Sequence, residues 1–213
     1  MAEKIIECRL CGENACFFTS YRHADFYKCS VCGSVMTHEN AFMPIDKEKK
    51  RYEKHNNDIN DSGYRAFTAP VVKAVTGKYS KDSAGLDFGS GSGPVITTVL
   101  KEKNYNIETY DIFFDNDLKK LEHKYDYIVC CETAEHFKKP AAEFALLFGL
   151  LKPGGAVFLM TEMYEDTLNF SQWHYKNDAT HVFFYTRKAF EVIKKKFGFA
   201  EVIFDGRLIT LLK

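Results

Sequence analysis

From residue 84 onward, short runs rich in β-branched and aromatic residues alternate with segments whose apolar residues recur at helical spacing; no other feature restricts the fold as much. Strand-like runs occupy residues 84–88, 107–110, 127–131, 156–160, 201–204 and 208–212, and helix-like segments cover 94–103, 141–151 and 187–197. A further helix over 64–79 carries Phe67, Val71, Val72 and Val75 at helical intervals. This order predicts an α/β fold with a doubly wound, mainly parallel sheet covered by helices on both faces. At 213 residues the chain has room for one such domain and a small appendage. No run of 18 apolar residues is present, which excludes a membrane-spanning helix, and the first residues lack the apolar core of a secretory signal. The cytosol is the expected compartment.

The appendage is marked by cysteine. Cys8 and Cys11 form one C-x2-C pair, Cys29 and Cys32 another, with seventeen residues between them. That spacing matches a four-cysteine zinc site. Gly12 and Gly33 follow the pairs and permit the positive φ that such turns need. Four soft thiolates close a tetrahedral shell, so the predicted zinc is structural, and it would supply folding free energy to a segment with few apolar residues. A pair of redox-active C-x-x-C motifs is the rival reading, but the βαβ setting of such motifs is missing. Cys16 stands outside the pattern, and Cys130 and Cys131 lie in an apolar strand. The expected organisation is a zinc ribbon over 1–40, a polar linker with a lid helix over 41–63, and the α/β domain over 64–213.

Lys and Arg balance Asp and Glu at 29 each, so no global field draws in nucleic acid. A local patch would still serve, which leaves nucleic acid open as a partner; nothing in the pattern sets an oligomeric state. Chemistry is concentrated at the ends of the strands. Asp87, Gly89, Ser90, Gly91 and Gly93, followed by Pro94, form a strand, a glycine-rich turn and a helix start, where backbone N–H groups can receive an anionic ligand. Asp111 closes the next strand twenty-two residues after Gly89, placed to accept ribose hydroxyls. A dinucleotide-binding dehydrogenase would use the same elements, although here the third glycine comes one residue early.

The segments 87–93, 125–132 (Tyr-Asp-Tyr-Ile-Val-Cys-Cys-Glu) and 150–155 (Leu-Leu-Lys-Pro-Gly-Gly) together resemble the class I S-adenosylmethionine-dependent methyltransferase superfamily over residues 64–213. With the N-terminal cysteines and residues 51–58 included, the whole chain is similar to a branch of that superfamily bearing zinc ribbons. The resemblance implies S-adenosylmethionine as cofactor, with Cys131 and Glu132 bordering it, and implies that His55, Asn56 and Tyr64 cover it as a lid. It departs in one place. Only fourteen residues separate Asp111 from Asp126, so the third strand is expected to be shortened or absent. Phe113 or Phe114 is then a candidate for packing on adenine, with ordinary core packing the other reading.

Two segments are candidates for the acceptor side. If residues 132–136 turn helically, Glu132, Glu135 and His136 share a face able to hold a divalent cation. This E-x-x-E-H resembles that of ubiquinone-biosynthesis and small-RNA 2′-O-methyltransferases, where it is associated with metal. Without metal, His136 is read as facing the acceptor. Residues 173–185 hold the only tryptophan and two histidines, and they resemble a W…D-x-T-H…F-Y stretch of the same branch. There Asp178 is placed to orient His181 as a base, or else Asp178 and Thr180 cap a turn. The expected function is methyl transfer to an unidentified acceptor, with O-methylation of a small molecule favoured. RNA or protein methylation through a docking ribbon, and a non-catalytic cofactor-binding adaptor, are the alternatives.

Overall fold

The computed structural model describes residues 5–22, 24–54 and 58–213. Strands β1 (Ile5–Glu7), β2 (Asn14–Tyr21), β3 (Ala24–Cys29) and β4 (Val35–Thr37) form an antiparallel ribbon, followed by helices α1 (Ile45–Tyr52) and α2 (Ser62–Lys78). Then come β5 (Gly85–Phe88), α3 (Val95–Glu102), β6 (Ile107–Tyr110), β7 (Tyr125–Cys131), α4 (Pro140–Leu150), β8 (Leu151–Met160), β9 (Phe183–Phe184), α5 (Arg187–Phe197), β10 (Glu201–Asp205) and β11 (Leu208–Leu212). Among the described residues no helix is long and apolar enough to cross a membrane.

The main sheet has the order β10-β11-β8-β7-β5-β6. β6, β5, β7 and β8 run parallel, while β11 is antiparallel to both its neighbours. The expected α/β alternation is therefore present. So is the missing third strand: residues after β6 form a turn and a 3₁₀ helix (Leu118–Glu122), leaving β6 as an edge.

Side-chain alternation divides the core. Tyr127 and Val129 of β7, with Ala156, Phe158 and Met160 of β8, pack under α2 and α3. Ile128, Cys130, Val157 and Leu159 face the other way, against Phe144 and Leu147 of α4 and Phe190 and Ile193 of α5. Strands buried on both faces read as continuous apolar runs, as these do.

The ribbon is not a free appendage. Val35, Met36 and Thr37 are buried, and β4 pairs with β9 from the other end of the chain (Val35 with Phe184, Met36 with Phe183). Alternation sorts this small sheet too. Tyr27, Met36 and Phe183 join the core beneath α4 and α5, together with Cys8, Leu10, Cys29 and Cys32. Phe26, Val35 and Phe184 face a second cluster with Tyr164, Phe170, Trp173 and Tyr175. Because the two cores are continuous, Phe183→Ala is expected to destabilise the whole chain by about 3–5 kcal/mol. Calorimetry should show one transition lowered by roughly 10 °C, and an independent early transition would contradict a shared core.

Candidate active site

The carboxyl ends of β5, β6 and β7 converge where the chain reverses its direction of strand addition, the usual ligand edge of an open parallel sheet. A cavity of about 430 Å³ opens there, lined by Gly89, Ser90, Gly91, Asp111, Phe113 and Phe114 on one side. Gly89 has φ +78°, and a Cβ on it would lie 2.2 Å from Thr133 Cγ2, so no other residue fits. Its N–H and that of Ser90 donate to Tyr110 O, tying the turn to β6. Asp111 accepts from Gly91 N at 2.9 Å and from Phe113 N and Phe114 N at 2.8 and 3.1 Å. It thus fixes both halves of the cavity floor, with lone-pair capacity left on Oδ2. Ser90 Oγ is buried without a hydrogen-bond partner among the described residues.

Cys131 and Glu132 line the same cavity, as does Tyr64. Asp87 and Gly93 do not. Asp87 stands behind the turn, where its carboxylate accepts from Thr97 Oγ1 of α3, and burial raises its pKa to about 6. His55 and Asn56 lie outside the described residues.

The acceptor-side grouping differs from the expected one. Glu132 has φ +49°, so the chain leaves β7 left-handed, and the helical turn begins only at Ala134 (3₁₀, Ala134–His136). Glu132 therefore turns away from a common face and accepts from Arg207 at 2.8 Å and Tyr175 OH at 3.2 Å. Burial and the neighbouring Glu135 raise its pKa to about 7 against the pull of Arg207. His181 takes its place. Glu135, His136 and His181 present ligand atoms all within 4.8 Å of one another.

Glu135 is fully buried, which pushes its pKa up, and it accepts from Tyr175 OH and Thr161 Oγ1. His136 Nδ1 lies 3.0 Å from Thr180 O, and His181 Nδ1 lies 2.7 Å from Tyr175 O. A carbonyl only accepts, so each Nδ1 carries a proton, and in the neutral form each ring would keep its lone pair on Nε2. Both Nε2 atoms stand 4.0 Å from Glu135 Oε1. Burial, then His136, lower the His181 pKa, which favours that neutral form. His174 is instead largely exposed beside Glu162.

Helix α1 closes over this group. Tyr52 OH is 3.0 Å from His136 Nδ1, Lys138 donates to the buried Glu48, and Arg51 makes a forked pair with Asp178 at 3.1 and 2.6 Å. Asp178 also accepts from Thr180 N and Oγ1. It does not orient His181, whose ring is set by the Tyr175 carbonyl; with its oxygens committed to Arg51 and Thr180, Asp178 caps a turn and anchors α1. Tyr52, Tyr175, Thr161 and Arg207 were not among the sequence candidates. Common residue types at no recognisable spacing gave no signal.

A second constellation lies in the ribbon. Cys8, Cys11, Cys29 and Cys32 bring their Sγ atoms within 4.8 Å of one another, with contacts of 3.7 Å (Cys8–Cys32) and 3.5 Å (Cys11–Cys29). Thiolates about 2.3 Å from a tetrahedral zinc stand roughly 3.8 Å apart, so the four fit that ion. Cys16 is outside the group, and Cys130 is core.

Residues 61–202, about two thirds of the chain, match a family described as a methyltransferase domain. A ubiquinone biosynthesis O-methyltransferase of Pseudomonas fluorescens is 29% identical over 77 residues, 36% of this chain and 33% of that protein. The chain thus spans about a third of the length of the curated relatives it matches. Among solved structures, an S-adenosylmethionine-dependent methyltransferase from Archaeoglobus fulgidus is similar with a TM-score of 0.56 at 15% identity, covering 70% of this chain and 94% of that one. An O-methyltransferase family protein from Burkholderia thailandensis has a TM-score of 0.54 at 17% identity, covering 78% and 61%. These structural likenesses concern the fold.

The Arg51–Asp178 pair generates a pH prediction. Burial raises the Asp178 pKa, but hydrogen bonds from Arg51 and Thr180 outweigh it and hold the carboxyl well below the usual range. A depressed folded-state pKa contributes stability above the unfolded value of about 3.9, and that stability is lost as pH falls below it. Arg51→Ala should therefore be about 1 kcal/mol less stable than wild type at pH 7. In urea titrations the gap should shrink toward pH 3; a constant gap would remove the ionic anchor.

Proposed function

Since the chain belongs to the methyltransferase-domain family matched over residues 61–202, we propose that it transfers the methyl group of S-adenosylmethionine to an acceptor held beside Glu135, His136 and His181. When bound, the cofactor supplies an electrophilic methyl carbon on a sulfonium. The residues present fit it: a positive-φ glycine turn allows close backbone approach, Asp111 retains acceptor capacity, and the buried Ser90 hydroxyl has no partner among the described residues. Phe113, packed against Tyr52, offers an apolar wall for adenine. Cys131 and Glu132 border the same space.

The observation that carries the acceptor side is the convergence of two imidazole Nε2 atoms on one buried carboxylate. His136 or His181 takes the acceptor's proton on Nε2, and Glu135 stabilises the imidazolium that forms. Tyr175 and Thr161 hold Glu135 in place, and Glu48 and Tyr52 of α1 line the cavity beside it. An oxygen acceptor on a small molecule suits this arrangement.

The same geometry supports a second reading. Histidines that donate Nδ1–H to carbonyls while aiming Nε2 at a shared carboxylate have the outer-shell pattern of metal ligands. Glu135, His136 and His181 would hold a divalent cation after closing by about 1 Å, and the ion would supply Lewis acidity toward an acceptor oxygen. Glu132 belongs to Arg207 rather than to this set. The ribbon cysteines, in turn, would hold a structural zinc.

Calorimetry is expected to show binding of S-adenosylmethionine and S-adenosylhomocysteine but not NAD, weakened about tenfold or more in Asp111→Asn. A preference for NAD would overturn the assignment. His136→Ala and His181→Ala should bind cofactor as wild type does yet lose methyl transfer to a panel of hydroxylated acceptors. Metal analysis should find about one zinc per chain, absent when Cys29 and Cys32 are both serine; zinc retained in that variant would remove the ribbon site.

A further inference from the structure

We propose that Arg9, in the first cysteine turn of the ribbon, is a positioning residue that sets His181 against Glu135 and His136. Arg9 lies between Cys8 and Cys11, far in sequence from the site. Its guanidinium donates to Thr37 O at the end of β4 (2.5 Å) and to Val182 O (2.6 Å), spanning the two segments as a fork. Val182 directly follows His181, and its N–H donates to Glu135 O at 2.9 Å. Thr37 N donates to the same Val182 carbonyl, at 3.1 Å. Val182, the residue after His181, is thus held by the ribbon on its carbonyl oxygen and by the E-x-x-E-H segment on its own N–H.

The setting of Arg9 is unusual for a surface-tethering cation. Among the described residues it pairs with no carboxylate; the rings of Phe42 and Phe183 lie 4.9 and 5.7 Å from its charge, and burial lowers its pKa. A guanidinium largely withdrawn from water and bound only to carbonyls and ring faces contributes geometry more than ion-pair energy. Two other side-chain ties from the cysteine turns land away from the site: Thr186 Oγ1 donates to Cys32 O at the start of α5, and Lys196 Nζ to Leu10 O near its end. Arg9 alone among these joins the cysteine turn to the residue after His181. Under this proposal the ribbon acts as a buttress of the site, and its β4 edge is already occupied by β9.

The inference rests on reading His136 and His181 as the acceptor side, and the test separates the two. Imidazole ¹⁵N resonances, assigned with His136→Gln and His181→Gln, would be compared in full-length Arg9→Lys, Arg9→Ala and Lys196→Ala, with zinc content, melting temperature and S-adenosylhomocysteine affinity measured alongside. Lysine keeps the charge but cannot span both carbonyls. Arg9→Lys is expected to keep its zinc and bind S-adenosylhomocysteine as wild type does, while the His181 and His136 signals shift and those of His123 and His174 stay. Arg9→Ala should shift them further, with partial return on adding guanidinium ion. Lys196→Ala, a tie lost elsewhere, should leave all four unchanged. Unaltered His181 and His136 signals in folded, zinc-replete Arg9→Lys would overturn the proposal. Absence of S-adenosylhomocysteine binding in wild type would instead overturn the functional reading, leaving the resonance result to stand by itself.

Discussion

A carboxylate with no access to solvent is a costly thing to fold around, and Glu135 is that group here. An ionised carboxylate in such a place needs donors or a positive charge, and each of its satisfiers comes from a different part of the chain. Thr161 lies just past β8 and Tyr175 in the long segment before β9. Meeting the needs of one side chain therefore fixes how the connection from β8 to α5 must run. That connection, pinned over the carboxyl ends of the sheet, forms one wall of the cavity. The aromatic cluster of Tyr164, Phe170, Trp173 and Phe184 then fills the space behind it and rests on the ribbon. The N-terminal strands and the acceptor side are consequently parts of a single packing problem.

The cofactor side follows from a different constraint, the close approach of β5 and β7. Gly89 admits the Thr133 side chain where any Cβ would collide, and Thr133 returns a hydrogen bond to Gly89 O at 3.2 Å. The turn after β5 and the turn after β7 are therefore locked to each other before any ligand arrives. Asp111 extends the lock to the residues after β6. Three neighbouring strand ends thus hold a preformed floor, and the cost of ordering it falls on folding rather than on binding.

The sheet was legible in the sequence because its strands, buried on both faces, appear as apolar runs between helical periods, and five of the six runs were located to within two residues at each end. The exception is β8, which begins at Leu151, five residues before the run that marked it, because Lys-Pro-Gly-Gly hides its irregular start. That the third strand is shortened or absent was legible from the short span between Asp111 and Asp126, set against what the resemblance implies. The cysteine grouping was legible from spacing. What the sequence concealed was partnership. β4 is three residues long and sits in polar surroundings, so only its pairing with β9, nearly 150 residues away, gives it order. Helical geometry placed Glu132 with Glu135 and His136, yet one left-handed residue removes it from their face. His181 replaces it through a tertiary fold-back that no local pattern encodes, and Asp178, close to His181 in sequence, is drawn off by Arg51.

The left-handed backbone at Glu132 bears on function as well as on prediction. For a residue with a Cβ, that conformation costs on the order of 1 kcal/mol and persists only where the surroundings enforce it. Here the enforcement is visible: the Glu132 N–H is held by Met160 O, and its carboxylate is held by Arg207, which reaches over from the turn between β10 and β11. Arg207 also approaches Glu162 and lies over the rings of Phe67 and Tyr175. The antiparallel hairpin at the far end of the sheet thereby supplies the cation that keeps Glu132 out of the acceptor group. That division leaves three ligand-bearing side chains facing the cavity and one neutralised carboxylate beside the cofactor space. Under the proposed function that partition sets the base apart from the electrophile, and the left-handed Glu132 is where the chain makes it.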